Sequence, residues 1–217
     1  PTVVRGLIVN LQLTFIGGIA IGIIALALAL LRTTKSPALT PFRFIATAYV
    51  DIFRGAPLIL IILLVGFGVP ALRIQGLTSN VIVLGTIAVV LTYSAYVAEV
   101  IRSGILSVHQ SQRAAARSLG FTSNQAMRYV ILPQAIRRVI PPLLNDFVSL
   151  LKDTGLVSIL GVTDAVRAAQ INASRTFNYT PYVVAAILFL LITIPLTRYI
   201  DRHIRLRSEK QNSDGLA

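Results

Sequence analysis

From Phe15 to Leu31 no side chain carries a polar group, and the apolar character reaches back to Leu7. A membrane-spanning helix needs about 20 consecutive, mostly apolar residues. A signal peptide has a shorter apolar core followed by a small-residue cleavage site. Here Arg32, Thr33, Thr34 and Lys35 follow instead, so the run reads as a retained helix. The composition of the 217 residues agrees, with 55% hydrophobic and 13% charged types. Soluble domains carry about 25% charged residues, so a soluble globular protein is not expected. The absence of cysteine excludes disulfide frameworks, thiolate metal sites and cysteine nucleophiles. The only histidines are His109 and His203, which argues against a multi-histidine metal centre. Neither has a convincing Ser and Asp partner set, so no catalytic and no metal residues are expected.

Four further apolar runs follow. Leu58 to Val69 is too short to span and must borrow from Phe44 to Pro57, which contains Asp51 and Arg54. Pro70 and the segment Leu72–Asn80 close it as a loop. The third run extends from Val81 to Ala98 and is followed by Glu99. The fourth, Val139 to Val162, is interrupted by Asn145, Asp146, Lys152 and Asp153, and Pro141 and Pro142 kink or start it. The fifth, Tyr182 to Ile200, begins after Pro181. The expected fold is all-α, an integral membrane bundle of five transmembrane helices.

The net charge of +12, from 20 basic and 8 acidic residues, then sets the orientation. Segments 32–54, 102–138 and 198–217 hold fifteen of the Lys and Arg residues, and the segments on the other side hold five. Cytoplasmic loops are enriched in these residues. The N-terminus is therefore expected outside and the C-terminus inside. The positive charge is thereby used as a topology signal, and no nucleic-acid partner is expected. Residues 1–207 read as one transmembrane domain and 208–217 as a disordered cytoplasmic tail. Because the chain starts at Pro1 and not at Met, its native beginning is expected upstream.

The cytoplasmic segment 110–138 reads QSQRAAARSLGFTSNQAMRYVILPQAIRR. Ser111 to Leu119 is Ala-rich and favours helix, and Gly120 suits a left-handed helix end. Thr122 with Gln125 three residues later fits a capping box, so a second short helix should start there. Pro133 ends that helix or begins the next. Two short helices with little side-chain bulk at Ala114, Ala115 and Ala116 let another protein approach the backbone closely. No G-x-x-x-x-G-K-[ST] phosphate loop is present, so the chain has no recognisable nucleotide site of that type.

At this point the chain resembles the importer-type ABC transporter permeases. Ala114-Ala115-Ala116-Arg117-Ser118-Leu119-Gly120, followed after ten residues by Ile131-Leu132-Pro133, looks like their EAA motif. Arg54-Gly55-Ala56-Pro57-Leu58, Tyr96-Val97-Ala98-Glu99 with Arg102, Leu132-Pro133-Gln134-Ala135 and Lys152-Asp153-Thr154-Gly155-Leu156 match the polar amino-acid branch. The sequence departs from the pattern at Ala114, where the family's usual residue is Glu, and at Gly155, where it is Ser. The resemblance implies a multi-pass protein of the bacterial inner (plasma) membrane, paired with a second copy or a paralogue. It implies a coupling loop, 110–133, in which Gln112, Arg113, Ala114, Ala115, Arg117, Leu119 and Gly120 meet a cytoplasmic ATP-binding subunit. ATP and Mg2+ would reside on that subunit, with no cofactor on this chain. An extracytoplasmic solute-binding protein would deliver the amino acid. Deleting Ser111–Gly120 is then expected to abolish stable association with the ATPase.

Ionisable groups in a span are costly and often mark a substrate route. Glu99 and Arg102, three apart, share a helix face. They either pair with each other or offer a carboxylate and a bidentate guanidinium to a zwitterion. Lys152 and Asp153 end the apolar part of the fourth run, a region that lines the translocation path in the resembled family. Glu99, Arg102 and Asp153 are the expected substrate-binding residues, and Asp within Lys-Asp-Thr resembles permeases for glutamine or glutamate. Asp51 and Arg54 read as structural, with a break in the second span at Gly55–Pro57 as the functional alternative. The expected function is the permease subunit of an ATP-driven importer of a polar amino acid. The alternative is a secondary transporter or channel without an ATPase, in which a cytoplasmic double helix has no evident use.

Overall fold

The computed structural model describes residues 2–34 and 36–214, without the side chains of 203 and 205–214. Pro1, Lys35, Gly215, Leu216 and Ala217, with the calls that fall on them, lie outside the described residues. Among the described residues there is no strand; the chain is helix after helix. α1 (Thr2–Thr33), α5 (Val81–Leu106) and the Thr180–Arg202 part of α10 (Thr180–Asp214) are long and apolar enough to cross a membrane. A fourth candidate is a broken one, made of 37–55 and 58–71 with a 106° bend between them.

That bend lies between α2 (Thr40–Gly55) and α3 (Leu58–Leu63). Ala56 is extended, at φ −93° and ψ 140°, as a residue ahead of proline prefers. Pro57 has no N–H to continue the ladder. The break considered at Gly55–Pro57 is therefore real. A π-helical turn, Leu64–Gly68, follows and leads into α4 (Val69–Ala71). The loop beyond it ends at Asn80, whose Oδ1 accepts the N–H groups of Ile82 (2.9 Å) and Val83 (3.3 Å) and starts α5.

α6 (Gln110–Ser118) and α7 (Ser123–Ala126) stand where two short helices were expected. The second does not stop at Pro133. It runs through a π-helical turn, Met127–Ile131, into α8 (Leu132–Asp153). The Leu132 N–H bonds the Met127 carbonyl. This wider turn relieves the clash that the proline ring makes with the carbonyl four residues before it. Pro141 and Pro142 lie inside α8, and a 3-10 turn, Thr154–Leu160, extends it. Beyond the fourth apolar run lies a helix not expected from the sequence, α9 (Ala165–Thr176). α10 continues to Asp214, into the 208–217 tail expected to be disordered.

The chain forms two compact units. The first comprises Pro1–Ile16, Ile62–Thr86 and Leu144–Ala217. Its core joins Val3 and Leu7 of α1 to Ala165, Ala168 and Ala169 of α9 and Ala185 of α10. The alanines let the helices approach closely, and Gly6 takes this furthest. A Cβ at Gly6 would overlap the backbone of Asp164 and Ala165. We predict that Gly6→Ala destabilises the protein by about 1–3 kcal/mol, read as thermal unfolding in detergent.

Beside that contact, a polar network crosses the same unit. Asn10 Nδ2 donates to Thr154 Oγ1 (3.2 Å) and Asp164 Oδ2 (3.1 Å), and its Oδ1 accepts the Ala165 N–H (3.1 Å). Asp164 caps α9 by accepting the Arg167 N–H at 2.8 Å. Asn10, Thr154 and Asp164 are fully buried. Asn10→Leu strands a buried carboxylate oxygen and an N–H group together. We expect it to cost about 1–3 kcal/mol in the same assay.

The second unit comprises Gly17–Ile61 and Ile87–Leu143. Ala25, Val50, Ala95 and Ala98 form its core across α1, α2 and α5. Tyr49 fixes α2 to α5 through the Leu91 carbonyl (2.8 Å) and Ser94 Oγ (2.8 Å). A second cluster, Ile105, Val108, Ile131 and Ala135, ties the segment around α6 and α7 to α5 and α8.

Candidate functional site

α6 is a self-contained element. His109 begins it, its Nδ1 accepting the Ser111 N–H at 3.2 Å. At its end Gly120 is left-handed, at φ +85°. The Phe121 N–H returns to the Ala116 carbonyl (3.1 Å) and the Gly120 N–H to that of Arg117 (3.0 Å). This pair of bonds is the Schellman closure, which needs a residue free to adopt positive φ. Thr122 and Gln125 then form both halves of the expected capping box, at 2.8 and 3.3 Å. The helix ends are thus satisfied within the segment, and no partner is needed to shape it.

Its attachment is equally firm. Arg138 donates to the carbonyl of Ser107 and, at 3.1 Å, to its hydroxyl. Of the α6 residues only Ala116 is buried. Gln112, Arg113, Ala114, Ala115, Arg117 and Gly120 are exposed, and Leu119 presents 80% of its surface. The helix is small in side-chain bulk and ends in a bare leucine, so its backbone is open to close approach.

Three arginines of the second unit, Arg32, Arg54 and Arg102, gather around Glu99. Its Oε2 receives Arg32 Nη1 at 2.6 Å and Arg102 Nε at 3.0 Å, and its Oε1 receives Arg102 Nη2. Arg54 stands 3.7 Å from Oε2. The Glu99 and Arg32 side chains are only 18% and 10% exposed. Sequence spacing identified the Glu99–Arg102 pair but not Arg32, which was counted only as an orientation signal. Arg54 turns to Glu99, while Asp51, its expected helix-face neighbour, is exposed. With both oxygens engaged by guanidinium groups, Glu99 is occupied as an anchor between α1, α2 and α5. Glu99 lies eighteen residues beyond Val81 in α5, about 27 Å along the helix at 1.5 Å per residue. That is close to the full hydrocarbon thickness of about 30 Å.

Asp153 belongs to the other compact unit, as the last residue of α8, half-buried between exposed Lys152 and buried Thr154. The structure therefore brings Glu99 and Arg102 together, and Asp153 belongs to the other unit. Asp146 lies seven residues earlier, on the same face of α8. Its Oδ2 is buried with no hydrogen-bond partner among the described residues. Asn10 and Asp164 were missed from sequence; an Asp directly ahead of an Ala-rich stretch is a helix N-cap signal that marks the second of them. Among the described residues no group of His, Asp and Glu is placed to hold a metal ion.

The chain was compared with known proteins. The model of the family described as "Binding-protein-dependent transport system inner membrane component" matches residues 18–207. The "Probable glutamine ABC transporter permease protein GlnM" of Bacillus subtilis (strain 168) is 38% identical over 188 residues, covering 84% of this chain and 83% of that protein. The "Arginine transport system permease protein ArtQ" of the same organism is 31% identical over 198 residues, covering 91% and 88%. Among solved structures, the "Crystal structure of an amino acid ABC transporter with histidines" aligns with a TM-score of 0.86 at 35% identity, covering 94% of each chain.

Proposed function

The chain belongs to the family of binding-protein-dependent transport system inner membrane components, and on that premise we propose that it imports glutamine or a closely similar polar amino acid. It is a multi-pass permease subunit of an ABC transporter, a transport component with no catalysis of its own. The observation that carries the mechanism is the self-capped, exposed α6 fixed to α5 and α8. Docked in the groove of a cytoplasmic ATP-hydrolysing subunit, such a helix converts closure of that subunit into rotation of the attached spans. Gln112, Arg113, Ala114, Ala115, Arg117, Leu119 and Gly120 supply the contact surface. ATP and Mg2+ are bound by the partner. Ala114, at the place of the family's usual Glu, leaves the contact to backbone approach, to Leu119 and to the neighbouring polar groups.

The five-span arrangement, with the N-terminus outside and the C-terminus inside, belongs to the same reading. The bent 37–71 pair serves as the second span and α8 with its 3-10 extension as the fourth, polar because it faces the substrate route. A second permease copy or a paralogue completes the route, and an extracytoplasmic binding protein delivers the amino acid. Within this chain, Asp153 reads the substrate, and Asp146, half-buried on the same face of α8 with its Oδ2 enclosed, lies on the same route. Glu99 and Arg102, with Arg32, hold the cytoplasmic ends of α1 and α5 in register.

The test is uptake by proteoliposomes containing the permease, its ATPase and its binding protein. Radiolabelled glutamine should accumulate only with internal Mg-ATP. Asp153→Ala should reduce uptake about tenfold or more while the ATPase still co-purifies. Equal flux with and without ATP would establish the secondary-transporter alternative.

A further inference from the structure

A cleft of about 300 Å3 opens beside the Glu99 cluster, lined by Arg32, Thr40, Arg43, Phe44, Thr47 and Arg102. Three guanidinium groups are lined up there and no acidic side chain. Glu99 is the only carboxylate paired with Arg32, Arg54 and Arg102 among the described residues, so the cluster keeps an excess of two positive charges before Arg43 is added. Arg32 is nine-tenths buried, and its Nε has no hydrogen-bond partner among the described residues. Arg43 makes one recorded bond, from Nη1 to the Thr34 carbonyl at 3.3 Å. Uncompensated buried positive charge favours an anion.

We propose that this cleft binds the phosphate of an anionic phospholipid. Arg43 and Arg102, which both line the cleft, would grip the phosphate oxygens, and the Arg32 guanidinium would add its positive charge. A lipid fits better than a free ion because the cleft has an apolar flank. Phe44 lines it and is 75% exposed, and Phe42 and Ile45 beside it on α2 are exposed too. These side chains offer a surface along which acyl chains can lie. Basic pockets between spans on the cytoplasmic side select anionic headgroups. The cytoplasmic leaflet follows from the proposed orientation, but the phosphate chemistry does not depend on it. An occupied cleft would neutralise the excess charge where Glu99 holds α1, α2 and α5 together, and would make the stability of that end depend on the lipid.

The test uses the purified permease–ATPase complex in nanodiscs or detergent, with bound lipid counted by native mass spectrometry. Phosphatidylglycerol should be retained in clear preference to phosphatidylcholine. Arg43→Gln should lower retention roughly fivefold, and Arg43→Lys should keep most of it. Arg137→Gln, which removes an exposed charge of α8 outside the cleft, should leave retention unchanged. Equal retention of the two lipids, or wild-type retention by Arg43→Gln, would overturn the proposal. Inorganic phosphate binding as tightly as phosphatidylglycerol would reject a lipid in favour of a free phosphate. Displacement by glutamine would reject both in favour of a substrate carboxylate. ATP-driven uptake is measured separately on the same samples, so loss of the lipid preference and loss of transport are distinguishable.

Discussion

Glu99→Ala is expected to lower stability by about 3 kcal/mol, seen as a fall in folded yield and in unfolding temperature in detergent. The physical reason is that one carboxylate serves three cations. Removing it leaves Arg32, at 10% exposure, without its 2.6 Å partner, and leaves Arg102 and Arg54 repelling it. Breaking such a set costs more than replacing the whole set by apolar groups. The double replacement Glu99→Leu with Arg32→Met should therefore recover part of the loss. The experiment also separates the two readings of this pair. If Glu99 received the substrate's ammonium group, Glu99→Ala would abolish uptake while leaving the unfolding temperature unchanged. The anchoring geometry predicts the reverse order: stability falls first, and uptake per folded molecule falls less.

Leu119→Asp should have the opposite profile. Leu119 is 80% exposed and supports no part of the core, so the unfolding temperature of the isolated permease should change by less than the equivalent of about 0.5 kcal/mol. In the docking proposed above, the same side chain would enter the ATPase's groove, where an uncompensated charge is costly. Association with the ATPase should weaken at least tenfold, and ATP-dependent uptake should fall with it. Deleting Ser111–Gly120 should abolish co-purification altogether. A permease that still co-purified and transported normally after that deletion would leave α6 without the proposed role.

What was legible in the sequence was local. The Thr122–Gln125 box and the left-handed Gly120 depend on residues within a few positions of each other, and both stand as expected. The uninterrupted apolar runs gave α1, α5 and the first part of α10 for the same reason. What was not legible depends on distant parts of the chain meeting. Arg32 and Glu99 are 67 residues apart, and only folding reveals that one carboxylate gathers an arginine from α1, one from α2 and one from its own helix. Asn10 was hidden in an apolar run, because its amide is satisfied by Thr154 and Asp164 far along the chain. The continuity of α7 into α8 was obscured by Pro133, which a π-helical turn accommodates. α9 was overlooked because long apolar runs dominated the reading of its neighbours, although Asp164 and the alanines after it carried a helix signal.

The most direct measurement concerns the side of the membrane on which α6 stands. The chain contains no cysteine, so Ala115→Cys introduces a single reactive thiol on an exposed face of that helix. A membrane-impermeant maleimide should label it in inside-out vesicles stripped of the ATPase, leave it unlabelled in intact cells, and be blocked when the ATPase is restored. Labelling from the outside of intact cells would contradict the account.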